Sequence, residues 1–254
     1  MSIMSRSVGL AIWLLAILTN AQAQQIAAGD SALAHFDLDG ALSAYRAAHI
    51  QAPEDYQATW KLARALADKS TLSKNRAEQK QCCIEAEQLA RAAVRLRPDD
   101  SKGHTFLAVA VGKLALYEGG KRKVELANEV KKEAQTAIKL DDKEDVAHHV
   151  LGVWNREMAE LNWVLRKFAE FLYGRFPSAS LDQALQHLRR ATEIAPNAVA
   201  HRVELGVTLA DARNWREANA TLEQALAMPK TWVTDDSYWD IARQNLQRVK
   251  THLN

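Results

Sequence analysis

Two adjacent pairs, Cys82-Cys83 and His148-His149, carry the side chains best suited to bind a metal or form a covalent bond. Neighbours on a helix point about 100° apart, so the two histidines cannot close on one ion. None of the eight His falls into H-E-x-x-H, no Cys pair has ligand spacing and no Asp-rich calcium loop occurs. No metal and no cofactor are expected, and the histidines are read as structural or solvated. A disulfide between sequence neighbours forces a strained ring. Cys82 and Cys83 are therefore read as small apolar fillers on a helix, with a bridge to a second chain as the alternative. Glu157 and Glu160 have a spacing that could serve acid–base work. Together with Arg156, Arg166, Lys167 and Glu170, however, they fit intrahelical salt links on a solvated face. There is no G-x-S-x-G elbow, and Gly119-Gly120 is a lone pair with no strand before it, which is no phosphate cradle. The sequence points away from an enzyme.

Whatever these side chains do, helices must position them. The chain has 254 residues, 48% hydrophobic and 25% charged, which is a globular composition. It holds 44 Ala against 10 Gly and 5 Pro, a balance that favours helix. The formal net charge is +2, and removing residues 1–23 takes away only Arg6. That is too little surplus to displace phosphate counterions, so no nucleic-acid partner is expected. Residues 1–23 read as an export signal: Arg6, an apolar run from Val8 to Leu18, and the small-x-small site Ala21-Gln22-Ala23. The run is too short to span a bilayer, which takes about 20 residues. The expected product is exported, without stable membrane insertion after cleavage, and periplasmic if the source is Gram-negative.

A repeat emerges from spacing. From Ala41, the intervals to Tyr45, Ala48 and Pro53 return at Ala86, Ala90, Ala93, Pro98 and at Val130, Ala134, Ala137, Asp142. They return again at Ala184, Leu188, Ala191, Pro196 and at Ala218, Leu222, Ala225, Lys230. Small residues seven apart share one helix face and admit a close neighbour, and Pro or Asp shortly afterwards ends the helix. Four of these runs follow a Leu-small pair: Leu62-Ala63, Leu107-Ala108, Leu151-Gly152 and Leu205-Gly206. The pattern resembles the tetratricopeptide repeat, a helix-turn-helix unit of 34 residues. It implies an all-α, right-handed superhelical solenoid of about five units plus a C-terminal capping helix. The units are placed at 24–55, 56–100, 101–144, 145–198 and 199–232, with the cap at 233–254. Unit two carries a polar insertion, Ser70 to Gln81, that is either loop or helical extension, and Gly119-Gly120 should turn the chain in unit three. In unit four, Val150, Leu151, Trp154, Met158, Leu161, Leu165, Phe168 and Leu172 predict, within Val146 to Tyr173, one helix of roughly 26 residues, near 40 Å long. Ser180 and Gln183 form a capping box for the returning helix.

The stretch from Gly119-Gly120-Lys121-Arg122-Lys123-Val124 through His149-Val150-Leu151-Gly152-Val153-Trp154 and Ala159-Glu160-Leu161-Asn162-Trp163 to Ala184, Ala191 and Pro196 is similar to the regulator of microtubule dynamics family. That resemblance implies a tetratricopeptide adaptor without catalytic activity, associated in animals with microtubules and mitochondria. An exported chain would not meet tubulin. The function expected is therefore an exported scaffold holding a protein or peptide partner in its concave groove. Self-association through the long unit-four hairpin, or a microtubule-type role, are the alternatives.

In such repeats the first helix of each unit lines the concave wall. By register the wall presents Trp60 and Arg64; Thr105, Val109 and Lys113; His149, Arg156 and Glu157; then Val203, Val207 and Asp211. The candidate partner-binding residues are Trp60, Arg64, Lys113, His149, Arg156 and Glu157; most of the tryptophans are read as filling space between helices, with Trp60 and Trp163 as partly exposed anchors the alternative. The wall lacks the Lys and Asn array with which chaperone-binding relatives clamp a terminal carboxylate.

Overall fold

The computed structural model describes residues 21–161 and 178–253, and every regular element among them is helical. The helices pair as hairpins: α1 (21–34) with α2 (Leu38–Gln51), α3 (Tyr56–Leu72) with α4 (Arg76–Leu96), and α5 (Ser101–Leu114) with α6 (Gly120–Leu140). Then come α7 (Asp145–Glu160) with α8 (Leu181–Ile194), α9 (Val199–Asp211) with α10 (Trp215–Leu226), and a closing helix, α11 (Asp235–Lys250). The five hairpins and the cap among the described residues are what the spacing implied.

The repeated positions are the glue. All fifteen residues of the interval pattern, from Ala41, Tyr45 and Ala48 to Ala218, Leu222 and Ala225, are at most 4% exposed. Each hairpin hides only part of its apolar face, and stacking hides the rest. Accordingly, one apolar cluster joins Ala63, Ala90, Leu107, Val130 and Leu151 across units two to four, and a second joins Leu188, Val203, Leu222 and Ala242 from unit four to the cap. Asp37, Asp55, Asn75, Asp100 and Ser180 cap helix starts by accepting backbone N–H groups, which satisfies donors that a helix leaves unpaired.

Successive first helices are also tied at their N-termini. Tyr56 donates to Asp100 at 2.5 Å and accepts from the Gly103 N–H at 3.0 Å. Ser101 donates to the buried Glu144 carboxylate at 3.0 Å, with Lys102 beside it.

The insertion in unit two is a helical extension on both arms, with α3 running to Leu72 and α4 starting at Arg76. Gly119 and Gly120 turn the chain as expected, Gly120 with φ of 53°. One expectation fails. The helix that opens unit four stops at Glu160, where Leu161 swings to φ −56° and ψ 124°, an extended conformation that cannot continue the helical hydrogen bonds. Its apolar series up to Met158 is helical; Trp163, Leu165, Arg166, Lys167, Phe168, Glu170 and Leu172 lie outside the described residues.

The connections between units are not uniform. The loops α2–α3, α4–α5, α6–α7 and α8–α9 are four residues each, whereas α10–α11 spans eight, residues 227–234.

Candidate functional site

Helices α3, α5, α7 and α9 lie side by side, each touching the next, and their common face forms the inner wall. All six candidate residues sit on the first three of these helices. Trp60 stacks on Phe106 of α5, with ring centroids 5.3 Å apart and planes 7° from parallel. Its indole donates to Gln57 at 3.1 Å. This corrects the reading of Trp60 as a partly exposed anchor, because the Phe106 ring covers it and leaves it 8% exposed.

Arg64 holds its guanidinium 5.5 Å from the Phe106 ring centroid and 3.8 Å from that of Trp232. Lys113 donates to Thr71 at 2.5 Å, and burial pushes its pKa down, with the nearby Asp68 carboxylate opposing. The Asp68 carboxyl is in turn pushed up by burial. His149 meets His201 of α9 with Nδ1 atoms 2.9 Å apart; burial, and then its histidine partner, hold it well below the ordinary value.

Arg156 spans two units. Its guanidinium donates to Glu204 at 2.5 Å, to Thr208 at 3.3 Å and to Glu157 at 3.2 Å, and it lies 3.8 Å from Asp211. Beside the intrahelical link to Glu157 that was expected along α7, Arg156 makes a pairing across repeats, because α9 lies within reach. Of the six, only Glu157 turns mainly to solvent. The wall therefore gathers the expected residues and engages most of them internally.

Sequence reasoning missed four participants: Asp68, His201, Glu204 and Trp232. The signal for Trp232 is the doubled length of the connection that carries it. The adjacent histidines do diverge as helical geometry requires, and each finds a histidine of its own, His148 meeting His187 at 3.1 Å. Cys82 and Cys83 are free and buried on α4, at 9% and 1% exposure, and burial pushes both thiol pKa values up. They act as the apolar fillers expected.

The family model described as Regulator of microtubule dynamics protein 1-3 matches residues 21–250. The chain belongs to this family. Regulator of microtubule dynamics protein 1 of Mus musculus is 32% identical over 178 residues, covering 69% of this chain and 58% of that protein. Regulator of microtubule dynamics protein 3 of Xenopus laevis is 28% identical over 177 residues, covering 69% of this chain and 38% of that one. This family member thus spans a little over half the length of the first relative and less of the second. Among solved structures, a thermophilic TPR protein of Thermus thermophilus aligns with a TM-score of 0.66 at 16% identity, over 88% of this chain and all of that one. The pilF protein of Pseudomonas aeruginosa aligns at 0.54 and 13% identity, over 91% and 93%. At such identities the likeness establishes the fold, so this regulator of microtubule dynamics family member is an all-α TPR solenoid.

Proposed function

We propose that the chain is a non-catalytic scaffold that holds a protein segment against the inner wall of its superhelix. The observation that carries this reading is the wall itself. The apolar clusters between units are built largely of Ala, Leu and Val, yet this face carries Arg64, Asp68, Lys113, His149 and Glu157. Polar groups on a concave face weaken packing and strengthen recognition. A preformed surface also spends little conformational entropy on binding.

Arg6, the apolar run to Leu18 and Ala21-Gln22-Ala23 support export, and with it a periplasmic or secreted place of work. A microtubule-related role is the second reading, favoured by the names of the relatives. N-terminal sequencing of the protein purified from its native cells separates the two, since cleavage after Ala23 removes the chain from tubulin's compartment.

The binding test uses a partner recovered on the full chain, identified, purified and titrated by calorimetry. Arg64→Glu combined with Glu157→Lys is expected to weaken binding at least tenfold while leaving the melting temperature within a few degrees. Unchanged affinity would place the binding surface elsewhere. Light scattering across concentrations tests self-association, which groove binding does not require.

A further inference from the structure

The last inter-unit connection does more than join α10 to α11. Its four additional residues reach back across the superhelix and dock on the first two units. The Trp232 indole donates to Asp68 of α3 at 3.0 Å across 164 residues of sequence, and its ring lies under the Arg64 guanidinium. Val233 is 5% exposed in the cluster of Leu33, Leu38, Tyr45 and Leu66. Lys230 stands 5.3 Å from the Phe36 ring at the α1–α2 turn.

The chemistry of this contact differs from that of the repeat junctions. The junctions combine small apolar residues with polar ties such as Tyr56–Asp100 and Arg156–Glu204, whereas Trp232 is received by a cation over its face and a carboxylate at its N–H. Those are the interactions by which a surface recognises an aromatic side chain from outside. Behind Arg64 lie Phe106 and Trp60, so the receiving face is a continuous stack of Trp60, Phe106 and Arg64 with Trp232 as its outermost member.

The connection is also held from within. The Asp235 carboxylate, 1% exposed, accepts the N–H groups of Thr231 at 2.7 Å and Trp232 at 2.8 Å. These bonds stay within residues 231–235 and involve neither Arg64 nor Asp68.

We infer that Arg64 and Asp68, backed by Phe106, form a subsite for a tryptophan side chain carried on an extended peptide, and that Trp232 fills it as an internal stand-in for that ligand. The segment Thr231-Trp232-Val233 then displays the class of partner the subsite takes: an indole followed by a β-branched apolar residue that enters the Leu33, Leu38 and Leu66 cluster. A partner of this kind binds by displacing the connection, so its apparent affinity is reduced by the fraction of molecules in which Trp232 is seated. The inference deepens the groove-binding reading and rests on it only for the identity of the native partner.

The test uses the full chain and a synthetic fluorescein-labelled peptide of residues 227–237, followed by anisotropy. Trp232→Ala, which vacates the subsite, is expected to bind the peptide at least tenfold more tightly than the wild-type chain does. Replacing the tryptophan of the peptide by alanine, or adding Arg64→Ala to the Trp232→Ala chain, is expected to remove at least tenfold of that affinity. Equal binding to wild type and Trp232→Ala, or indifference to Arg64, overturns the subsite. So does absence of saturable binding to a Trp232→Ala chain whose circular dichroism matches the wild type. If Trp232→Ala loses cooperative unfolding, Trp232 is part of the core and the inference is equally overturned. Because the peptide comes from this chain, its failure leaves the wider groove reading standing, and loss of the native partner at other wall positions leaves the subsite standing.

Discussion

Gly152 of α7 lies against Leu188 of α8 so closely that a Cβ at position 152 would stand 2.6 Å from the leucine Cγ. The relationship repeats along the solenoid. Gly206 meets Leu222 in the same way at 2.7 Å, and Gly29 meets the Tyr45 ring more closely still. Units two and three hold Ala63 and Ala108 at the equivalent positions of the first helix, facing runs in which the second helix carries Ala90 and Ala134. Each hairpin thus reaches similar closeness by dividing its volume differently between the two helices. Gly152→Ala is expected to destabilise by about 1–3 kcal/mol through overpacking, despite the better helix propensity of Ala. Leu188→Ala should cost about 2–5 kcal/mol through its cavity. The double variant rebuilds the alanine pairing of units two and three, so the two effects should couple favourably by about 0.5–3 kcal/mol in urea melts. Simple additivity would refute the close contact.

Arg156 fixes the junction between units four and five, where its guanidinium shares the Glu204 carboxylate and Thr208 within a buried site. Removing one member of such a pair leaves a charge buried without its partner. Arg156→Ala is expected to lower stability by about 3–5 kcal/mol, whereas Arg156→Met with Glu204→Leu should recover most of that loss. Urea titration of the three chains checks it. A cost below about 1 kcal/mol for Arg156→Ala would show that Arg156 is free for a partner.

The solenoid was legible because its signal is redundant. Five copies of one spacing, each ending in Pro, Asp or a residue beside Pro, survive a local irregularity such as the polar stretch near Ser73. The end of α7 was not legible, because Leu161 continues the apolar series that produced the expectation while its backbone leaves the helix. Periodicity reports which side chains want burial and is silent on where the chain turns. Register likewise placed Arg64, Lys113 and Arg156 on one wall, yet it could not reveal that Trp232, Thr71 and Glu204 already meet them. The Trp232 contact depends on how far the superhelix curves, a property summed over all the units, and the other two depend on how adjacent first helices are set against each other. The Gly29–Tyr45 pairing was missed for a related reason: unit one lacks the Leu-small pair that marks the other four.

The paired cysteines face inward on α4, and Cys83 is nearly sealed. Only the thiolate attacks an electrophile, and burial opposes its formation. With an aromatic disulfide reagent at pH 8, the native chain should react at least a hundredfold more slowly than the chain unfolded in guanidinium. Non-reducing gels should show no cysteine-linked dimer. Rapid native labelling of both thiols would contradict the packing of α4 against α3.

The two histidine pairs make the middle of the solenoid sensitive to acid. In each pair one proton is shared between facing Nδ1 atoms, and a second would set two N–H groups against each other. His148 also meets the Asp142 carbonyl at 3.2 Å, and His201 meets Asp145 at 2.9 Å. Charged groups also face the pairs: Arg190 and the Asp142 and Asp145 carboxylates by His148, and Arg156, Lys113 and Asp145 by His149. Burial first, and then His148, depress His187 to about 4, and burial leads the lowering of His148 and His149. A depressed histidine keeps its full contribution above the unfolded value of about 6.5. Between that pH and about 4, the unfolded chain takes up protons that the native chain refuses, so native stability falls with pH. Melting temperatures measured from pH 7.5 to 4.5 should decline steadily, and His187→Gln should flatten the decline by removing one titrating group. A flat profile in the wild-type chain over this window would show that the facing rings accept protons as readily when folded as when unfolded.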